Sequence, residues 1–358
     1  MLGISIYPEQ MTVEDAKAYL QLAYHHGYRR VFTSLLQVDV EGTQLADFRT
    51  TMRYAKTLGM KVIVDINPTL FTALGIQYDD LSFFADIGAW GLRLDEGFTG
   101  YEEAKMTYNE FGLKIEINMS AGTNYVYSIM SYAPNRDNLI GCHNFYPQAL
   151  TGLSDQYFCA YSQPYRDLNL HTAAFVSVAG APLGPWPVRE GLPTRESDRH
   201  RALASQVQSL KLTGMVDDII IGNAPANADA LEEVAQAFFA PCPVLPMSVH
   251  AAASKIERTI LFKNKHLYRG DASAYLIRDT QPRLTYADAA IPPHDCTGEV
   301  LPGDILVVNE AYGRYKGELQ IAIKAFPNDG RRNVVGRVTD SGLLEQLRPW
   351  MTFTLTAE

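Results

Sequence analysis

The feature that most constrains the fold is a repeated alternation of short apolar runs and longer helical patterns through residues 1–240. Such βα alternation predicts a parallel sheet with helices packed on it. Eight βα units in about 240 residues are typical of a closed (β/α)8 TIM barrel. We expect this fold rather than a doubly wound sheet, which rarely uses eight units. The predicted strands are Leu2–Tyr7, Arg30–Leu35, Lys61–Ile66, Trp90–Asp95, Lys114–Met119, Leu139–Asn144, Thr172–Val178 and Asp218–Ile221.

Helical periodicity and capping residues predict a helix after each of these strands. Thr12 is expected to cap the first helix, and Gly59 is expected to end the second. Asn67-Pro68 is interpreted as the stop of the third strand, and a Gly- and Pro-rich insertion follows the seventh strand at 180–193. The predicted helices cover 12–26, 44–58, 78–87, 101–111, 124–132, part of 155–168, 195–213 and 228–239.

A second domain is expected because 358 residues exceed what one core usually supports. Pro241, Pro243 and Pro246 interrupt the βα pattern and predict a linker. Short strands separated by turns then predict a small, mostly antiparallel β domain over residues 247–358. Its predicted strands are Ile260–Phe262, Leu267–Tyr268, Tyr275–Ile277, Ile305–Val308, Glu318–Ile323, Val334–Val338 and Met351–Leu355.

Charge and cysteine content exclude several classes of protein. The formal net charge of -9 argues against nucleic acid as a partner, because binding to phosphates needs a basic stripe. The sequence begins without the basic and apolar segments of a signal peptide and has no run of roughly 18 apolar residues. We therefore expect a cytoplasmic protein without membrane contact. Four widely spaced cysteines without a CxxC pair predict reduced thiols rather than a disulfide or zinc framework.

The stretch Leu92–Phe98, at the end of the fourth predicted strand, carries two carboxylates followed by a glycine. The carboxyl ends of barrel strands face the active site, so Asp95 is predicted to be functional. The alternative is that Asp95 only caps the turn or pairs with Arg93.

Residues two apart on a strand share a face, which predicts a polar set in the barrel interior and mouth. Barrel interiors normally fill with Val, Ile and Leu, so charged residues there are unusual packing choices. For Asp65 and Glu116 the alternative is a buried network with Arg93 that stabilises the barrel. The inward set comprises Ser5, Tyr7, Glu9, Asp65, Asn67, Arg93, Asp95, Glu116, Asn118 and Ser120.

Further polar residues follow the second, sixth and eighth strands. The hydroxyl of Ser34 can hold an oxyanion. His143, Asn144 and Tyr146 can bind hydroxyls, an acetamido group or a phosphate; the alternative for His143 is a structural histidine bonded to a backbone carbonyl. Asn223 lies in the turn after the eighth strand, the usual barrel position for phosphate binding.

A mouth rich in carboxylates with hydroxyl-binding neighbours suits glycoside hydrolysis. That reaction needs one acid with a raised pKa and one carboxylate that acts as nucleophile or base. The sequence lacks GxSxG, HExxH and P-loop motifs, and no histidines have paired metal-ligand spacing. The first two strands lack the Schiff-base lysine of pyridoxal-phosphate racemases, so neither a metal nor a cofactor is expected. The candidate carboxylates are Asp95, Glu116, Glu9, Asp65 and Glu96.

Five motifs together resemble the bacterial 6-phospho-N-acetylmuramidase family over nearly the whole chain. HNFYP followed closely by TGLS is the most distinctive of them. The resemblance implies a cyclophilin-like C-terminal domain and a cytosolic enzyme. It also implies cleavage of the β-1,4 bond of N-acetylmuramic acid 6-phosphate–N-acetylglucosamine during cell-wall recycling. The motifs are GISIYPEQ at 3–10, FTSL at 32–35, RLDEGF at 93–98, IEINMSAGTN at 115–124 and GCHNFYPQALTGLS at 141–154.

The resemblance makes Asp95 the first choice for a catalytic carboxylate. By face and strand order we expect Glu116 as its partner, with Glu9 as second choice. In the β domain, Arg331 and Arg332 are predicted to reach the barrel mouth and bind a phosphate or lactyl carboxylate; a solvated surface turn is the alternative. The expected substrate contacts are Ser34, Asp65, Asn67, Arg93, Asn118, His143, Asn144, Tyr146 and Asn223.

The expected partner is a small phosphorylated amino-sugar disaccharide, and a homodimer is left open. One alternative function is a non-catalytic sugar-phosphate binding protein. Another is a phosphosugar lyase or epimerase with Asp95 and His143 as its acid–base pair.

Overall fold

The computed structural model describes residues 1–36, 38, 44–185 and 187–358. Within them the chain divides into two compact units, Met1–Phe238 and Phe239–Glu358. The first unit is a closed barrel whose strands pair in sequence order, and the second contains a separate, mostly antiparallel sheet. The predicted fold class is confirmed.

The barrel strands begin and end within two residues of their predicted bounds. Parallel strands covered on both faces read as nearly continuous apolar runs, which is why the sequence marks them clearly. All neighbours pair in parallel, and the eighth strand closes on the first. The strands are β1 (Leu2–Ser5), β2 (Arg30–Ser34), β3 (Lys61–Ile66), β4 (Gly91–Leu94), β5 (Lys114–Asn118), β6 (Leu139–Cys142), β7 (His171–Val176) and β8 (Asp218–Ile221).

The helices around the barrel follow the capping signals of the sequence. Thr12 caps the first helix by accepting the Asp15 N–H at 3.1 Å. Asn67-Pro68 does more than stop a strand, because Asn67 accepts the Leu70 N–H at 2.9 Å and Pro68 opens a helix. Proline fits there because the first helical N–H needs no partner. The helices are α1 (Val13–His25), α2 (Gln44–Thr57), α3 (Pro68–Leu74), α4 (Ser82–Ile87), α5 (Tyr101–Met106), α6 (Tyr125–Ser131), α7 (Asp155–Asp167), α8 (Leu203–Thr213) and α9 (Ala228–Phe239).

The second unit contains a seven-stranded sheet of order β10-β17-β9-β16-β13-β14-β11 and a separate β12-β15 pair. Only β17 and β9 pair in parallel among the described residues of this sheet. The strands are β9 (Val244–Val249), β10 (His266–Leu267), β11 (Leu276–Asp279), β12 (Glu299–Val300), β13 (Asp304–Val308), β14 (Leu319–Ala322), β15 (Phe326–Pro327), β16 (Arg332–Val338) and β17 (Thr352–Ala357). The helices are α10 (Lys255–Phe262), α11 (Gln281–Thr285) and α12 (Ser341–Gln346).

Two predictions for this unit are wrong. The predicted linker at Pro241, Pro243 and Pro246 overlaps β9, in which Pro246 lies inside the parallel pairing with β17. The predicted strand Ile260–Phe262 is the end of α10. This helix begins with a capping box in which the Ser254 hydroxyl and the Glu257 carboxylate bond each other's backbone N–H, so a start signal was present upstream of the apolar run.

Glu257 also joins α10 to β16 and to the loop before β12. Its fully buried carboxylate accepts hydrogen bonds from Asn333 Nδ2 at 2.8 Å and from His294 Nε2 at 2.8 Å. Partial burial lowers the pKa of His294, but the hydrogen bond and charge of Glu257, with Asp295 beside it, outweigh that effect and raise the pKa above its ordinary value. This contact therefore becomes a charged pair on protonation.

The interior of the barrel combines an apolar cluster with charged side chains. Phe32, Phe145 and Phe175 pack edge to face, with ring centroids 5.0–5.8 Å apart. Cys142 and Ile220 also contact these rings.

Among the described helices, none combines the length and apolarity that a membrane crossing requires.

Candidate active site

Asp95 lies at the carboxyl end of β4, as predicted, and its side chain is exposed. Its N–H donates to the Ile66 carbonyl at 3.0 Å, so pairing with β3 continues past the end of the strand. Within the described residues, its carboxylate forms no hydrogen bond or ion pair. The alternative that Asp95 caps the turn or pairs with Arg93 is therefore not supported.

Asp65, on β3, lies beside Arg93 of β4 in the sheet register. The side chain is nearly buried, and Oδ1 is 3.6 Å from Arg93 Nε without a hydrogen-bond partner among the described residues. Burial raises the pKa of Asp65 well above its ordinary value. Arg93 and a hydrogen bond from Ser34 oppose that rise, whereas the charges of Asp95 and Glu116 add to it.

Glu116 lies deeper in the barrel and is fully buried. Its carboxylate is ion-paired with Arg30, which is also fully buried and bonds Asp218 Oδ2 at 2.7 Å. Arg93 Nη1 approaches the other Glu116 oxygen at 3.8 Å. This placement favours the buried-network alternative, and the predicted catalytic role of Glu116 stays a prediction. The sequence could have indicated that Arg30 points into the barrel, because it lies two residues before Phe32 on β2 and residues two apart share a face.

His143 points out of the barrel toward α7 and is fully buried. Ser162 donates its hydroxyl to the Phe158 carbonyl at 2.7 Å, so it accepts from His143 Nε2–H at 2.8 Å. Nδ1 then accepts from the Ser120 hydroxyl at 3.0 Å. Burial, with Arg93 nearby, lowers the pKa of His143 to about 3, so the ring is neutral. Both ring nitrogens are engaged, which favours a structural role over the predicted substrate contact.

Asn144 is the next inward residue and is partly exposed. Its N–H donates to the Ser120 hydroxyl at 2.9 Å, and its side-chain oxygen accepts from Arg93 Nη2. Arg93 also donates to the Cys142 carbonyl at 3.2 Å. Among the described residues, no hydrogen bond engages the Asn144 amide nitrogen, which can therefore face a ligand.

Asn118 and Tyr146 are both partly exposed at the ends of neighbouring strands β5 and β6. Asn118 Oδ1 accepts the Ser120 N–H at 2.8 Å. Burial raises the pKa of the Tyr146 phenol, while the nearby Ser120 side chain and the charge of Arg93 oppose that rise. Asn118 and Asn144 both bond Ser120, and Tyr146 lies near it, so the structure brings these three predicted contacts together.

The side chains of three other predicted substrate contacts form hydrogen bonds with the protein's own backbone. Ser34 accepts the Leu36 N–H at 3.1 Å, and Asn67 caps α3. Asn223 is nearly buried; Oδ1 accepts the Val178 N–H at 2.9 Å and Nδ2 donates to the Val178 carbonyl at 2.7 Å. Asn223 thus ties the loop after β7 to the turn after β8.

Glu9 lies beyond β1 and is half-buried. Burial raises its pKa, while a hydrogen bond from Gln10 Nε2 at 3.0 Å opposes the rise. Below it, Tyr7 is buried and donates to the Gly222 carbonyl, which links β1 to β8 at the mouth. Glu9 therefore remains a second candidate acid.

A loop anchor that the sequence analysis missed holds the HNFYP–TGLS segment. Glu196 accepts the Leu150 N–H at 2.9 Å and the Gly152 N–H at 2.8 Å. Arg199 bonds both Glu196 oxygens at 2.7 Å and donates to the Tyr146 carbonyl at 3.0 Å. The hydrogen bond from Arg199 lowers the pKa of Glu196 to about 2. The Glu-x-x-Arg spacing was the available signal.

Arg331 and Arg332 belong to the second unit. Both contact Asp329, with Arg331 Nε at 2.9 Å and Arg332 Nη1 at 3.1 Å from its oxygens. Their guanidinium carbons lie 4.1 Å and 5.0 Å from the Tyr312 ring centroid. Binding of a phosphate or carboxylate by this pair stays a prediction.

In the part of the chain that the structure describes, no group of three His, Cys, Asp or Glu is placed to hold a metal ion. The four cysteines are unpaired, and Cys142 lies inside the barrel.

Comparison with known proteins covers both units. The family model described as "6-phospho-N-acetylmuramidase, N-terminal" matches residues 2–236, and the model described as "6-phospho-N-acetylmuramidase, C-terminal" matches residues 243–356. A search of curated protein sequences gave no significant match.

Two solved structures resemble the whole chain. An uncharacterized B. cereus protein is 39% identical, with a TM-score of 0.90 and 99% of each chain covered. A conserved Enterococcus faecalis protein of unknown function is 25% identical, with a TM-score of 0.76, covering 100% of this chain and 96% of the other. With both of its units matched, this chain belongs to the 6-phospho-N-acetylmuramidase family.

Proposed function

We propose that this chain is a glycoside hydrolase that cleaves the β-1,4 bond between N-acetylmuramic acid 6-phosphate and N-acetylglucosamine. The observation that carries the proposal is a pair of carboxylates on neighbouring strands at the mouth, Asp65 nearly buried and Asp95 exposed. Glycosidases need two carboxylates in unequal environments. The family models support the substrate class.

Asp65 is the proposed general acid. Burial raises its pKa, so it keeps a proton at a pH where an ordinary aspartic acid has lost it. Its Oδ1, which has no hydrogen-bond partner among the described residues, suits donation of a proton to the glycosidic oxygen as the C–O bond breaks. Asp65 thus takes the role expected for Glu116, whose carboxylate is committed to Arg30.

Asp95 is the proposed nucleophile or base. It either attacks the anomeric carbon, or removes a proton from the water that does so. One strand spacing across and two residues along put its Cα about 8 Å from that of Asp65. Direct attack by Asp95 would retain the anomeric configuration, whereas activation of a water would invert it.

The ligand environment supports a sugar substrate. Asn118, Asn144 and Tyr146 offer amide and phenol groups around Ser120, which suit sugar hydroxyl and acetamido groups. The burial of His143 argues against an epimerase that uses His143 with Asp95. The second carboxylate argues against a binding protein without catalysis. We propose that the protein binds this substrate in its phosphorylated form, in the cytoplasm.

Two substrates separate the proposed roles. An aryl glycoside with a good leaving group needs little acid catalysis, whereas the disaccharide needs a proton on the departing oxygen. Asp65→Asn is therefore expected to keep much of its activity on the 6-phosphorylated nitrophenyl muramide and lose it on the disaccharide. Asp95→Asn is expected to lose both activities. Equal losses of both activities in Asp65→Asn would contradict the acid assignment.

A further inference from the structure

Glu103, in the first turn of α5, has a fully buried side chain. Oε1 accepts the Phe98 N–H at 2.6 Å, and Oε2 accepts the Gly100 N–H at 2.6 Å. Oε1 also accepts the Tyr125 hydroxyl. All three partners donate, so this carboxylate serves entirely as an acceptor for the segment that follows Asp95.

No Lys, Arg or His forms an ion pair with Glu103 within the described residues. Removing a carboxylate from water without a cation is costly unless hydrogen bonds compensate. A helix capping box needs only the bond to the Gly100 N–H, which a glutamate can form while exposed to solvent. Complete burial and two further donors therefore indicate a role beyond capping.

Gly97 explains how Tyr125 reaches this carboxylate. A Cβ at Gly97 would lie 2.6 Å from the Tyr125 hydroxyl oxygen and 2.8 Å from the adjacent ring carbon. The missing side chain thus lets the phenol of α6 lie directly against the loop. This contact accounts for the glycine in RLDEGF.

Phe98 fixes the same loop from the other side. Its ring packs edge to face on Phe71 and Tyr78, at centroid distances of 5.8 Å and 5.0 Å. The loop 95–100 is therefore held by a buried carboxylate, a phenol and an aromatic cluster, although Asp95 and Glu96 themselves are exposed.

We propose that Glu103 and Tyr125 are positioning residues that hold the loop 95–100 in the conformation presenting Asp95 to the substrate. The kinetic part of this inference rests on the proposed hydrolase function. The structural part, the restraint of the Phe98 and Gly100 amides, does not. Pre-organised carboxylates of this kind support catalysis because misplacement of a reacting group by about 1 Å can cost about 100-fold in rate.

The test compares Glu103→Gln with Glu102→Gln. A glutamine at 103 turns an N–H toward one of the donating amides, so one buried amide loses its acceptor. Glu102 is the matched control, since it makes the same change in the same turn at a side chain that is not buried, where a glutamine oxygen can still accept from the Thr99 N–H and hydroxyl. We expect Glu103→Gln to lower kcat about 10- to 100-fold with KM little changed, and Glu102→Gln to match the wild type. Tyr125→Phe, which keeps the ring on Gly97, is expected to lower kcat by a smaller factor.

Hydrogen exchange at the Phe98 and Gly100 amides provides a readout independent of turnover. Both amides are expected to exchange faster in Glu103→Gln, while amides of the barrel strands keep wild-type protection. Unchanged exchange, or a wild-type kcat and KM in Glu103→Gln, would overturn the proposal. If Glu103→Gln does not fold, Tyr125→Phe is judged by the same two measurements, the exchange of the Phe98 and Gly100 amides and the values of kcat and KM. A wild type inactive on every phosphorylated muramide would refute the hydrolase function, while exchange would still decide the restraint.

Discussion

Replacing Glu116 by glutamine distinguishes a buried ion network from a catalytic carboxylate. Glu116 and Arg30 are both fully buried, and the variant removes one charge of that pair. Breaking a buried pair costs about 3–5 kcal/mol because it leaves an uncompensated charge. We expect about 3 kcal/mol here, the low end of that range, since Arg30 keeps Asp218 at 2.7 Å.

This loss translates into a measurable shift of melting temperature. For a unit of this size each kcal/mol lowers Tm by about 2–4 °C, so about 3 kcal/mol predicts a fall of about 6–12 °C in the barrel transition. Below that transition, kcat should stay within a few fold of wild type, because Glu116 lies beneath the mouth. Calorimetry and steady-state kinetics on the same preparations measure both quantities.

Glu110→Gln serves as the control, since it makes the same change at an exposed position and should leave Tm unchanged. A Glu116→Gln variant with wild-type Tm and a kcat reduced more than about 100-fold would refute the reasoning. Such a loss equals about 2.7 kcal/mol of transition-state stabilisation, and it would restore Glu116 as the catalytic partner of Asp95.

Three further predictions concern pH, packing and the acid. His294 has a raised pKa in the folded state, so its stabilising contribution is full below pH about 6.5 and fades as the pH rises through the folded value; His294→Asn should therefore lower Tm most at acidic pH, and a pH-independent deficit would contradict this. Gly91→Ala places a Cβ 2.7 Å from a barrel backbone oxygen and should cost about 1–3 kcal/mol by denaturant unfolding. Gly184→Ala meets first a leucine methyl at 3.1 Å and should cost much less; equal losses would count against the packing argument. Arg93 lowers the pKa of Asp65, so Arg93→Met should move the basic limb of the pH–rate profile upward; an unchanged or lowered limb would argue against Asp65 as the acid.

The barrel could be predicted from sequence because each of its strands carries its own signal. Apolar runs such as Lys61–Ile66 are buried on both faces, so their composition alone marks them. The helix at Pro68 could not be separated from a strand stop by the dipeptide alone, since asparagine followed by proline both ends a strand and starts a helix. Ile260–Phe262 shows the reverse problem, because a short apolar run suits either a strand or the buried face of a helix.

The sequence predicts which side chains of the candidate site point into the barrel, but not which of them form ion pairs with each other. Alternation along β3, β4 and β5 correctly predicts that Asp65, Arg93 and Glu116 point into the barrel. It cannot reveal that Arg30 on β2 reaches Glu116 on β5, because that contact crosses the closed barrel. The same alternation places His143 on the outer face of the barrel. It was nevertheless predicted as a substrate contact because it lies among other polar residues in HNFYP.

The contacts of Glu103 and Tyr125 with the loop 95–100 could not be predicted from the sequence pattern for a related reason. Glu103 reads as an ordinary first-turn acid, favourable at a helix N-terminus. One of its buried partners is Tyr125, which lies 22 residues further along the chain.

The central claim is that this protein hydrolyses a 6-phosphorylated muramide with Asp95. The most direct test measures release of N-acetylglucosamine from N-acetylmuramic acid–N-acetylglucosamine, with and without the 6-phosphate, by the wild type and by Asp95→Asn. We predict release from the phosphorylated disaccharide alone, and its loss in Asp95→Asn with an unchanged Tm. Equal release from both disaccharides would contradict the phosphate requirement, and undiminished release by Asp95→Asn would contradict the role of Asp95.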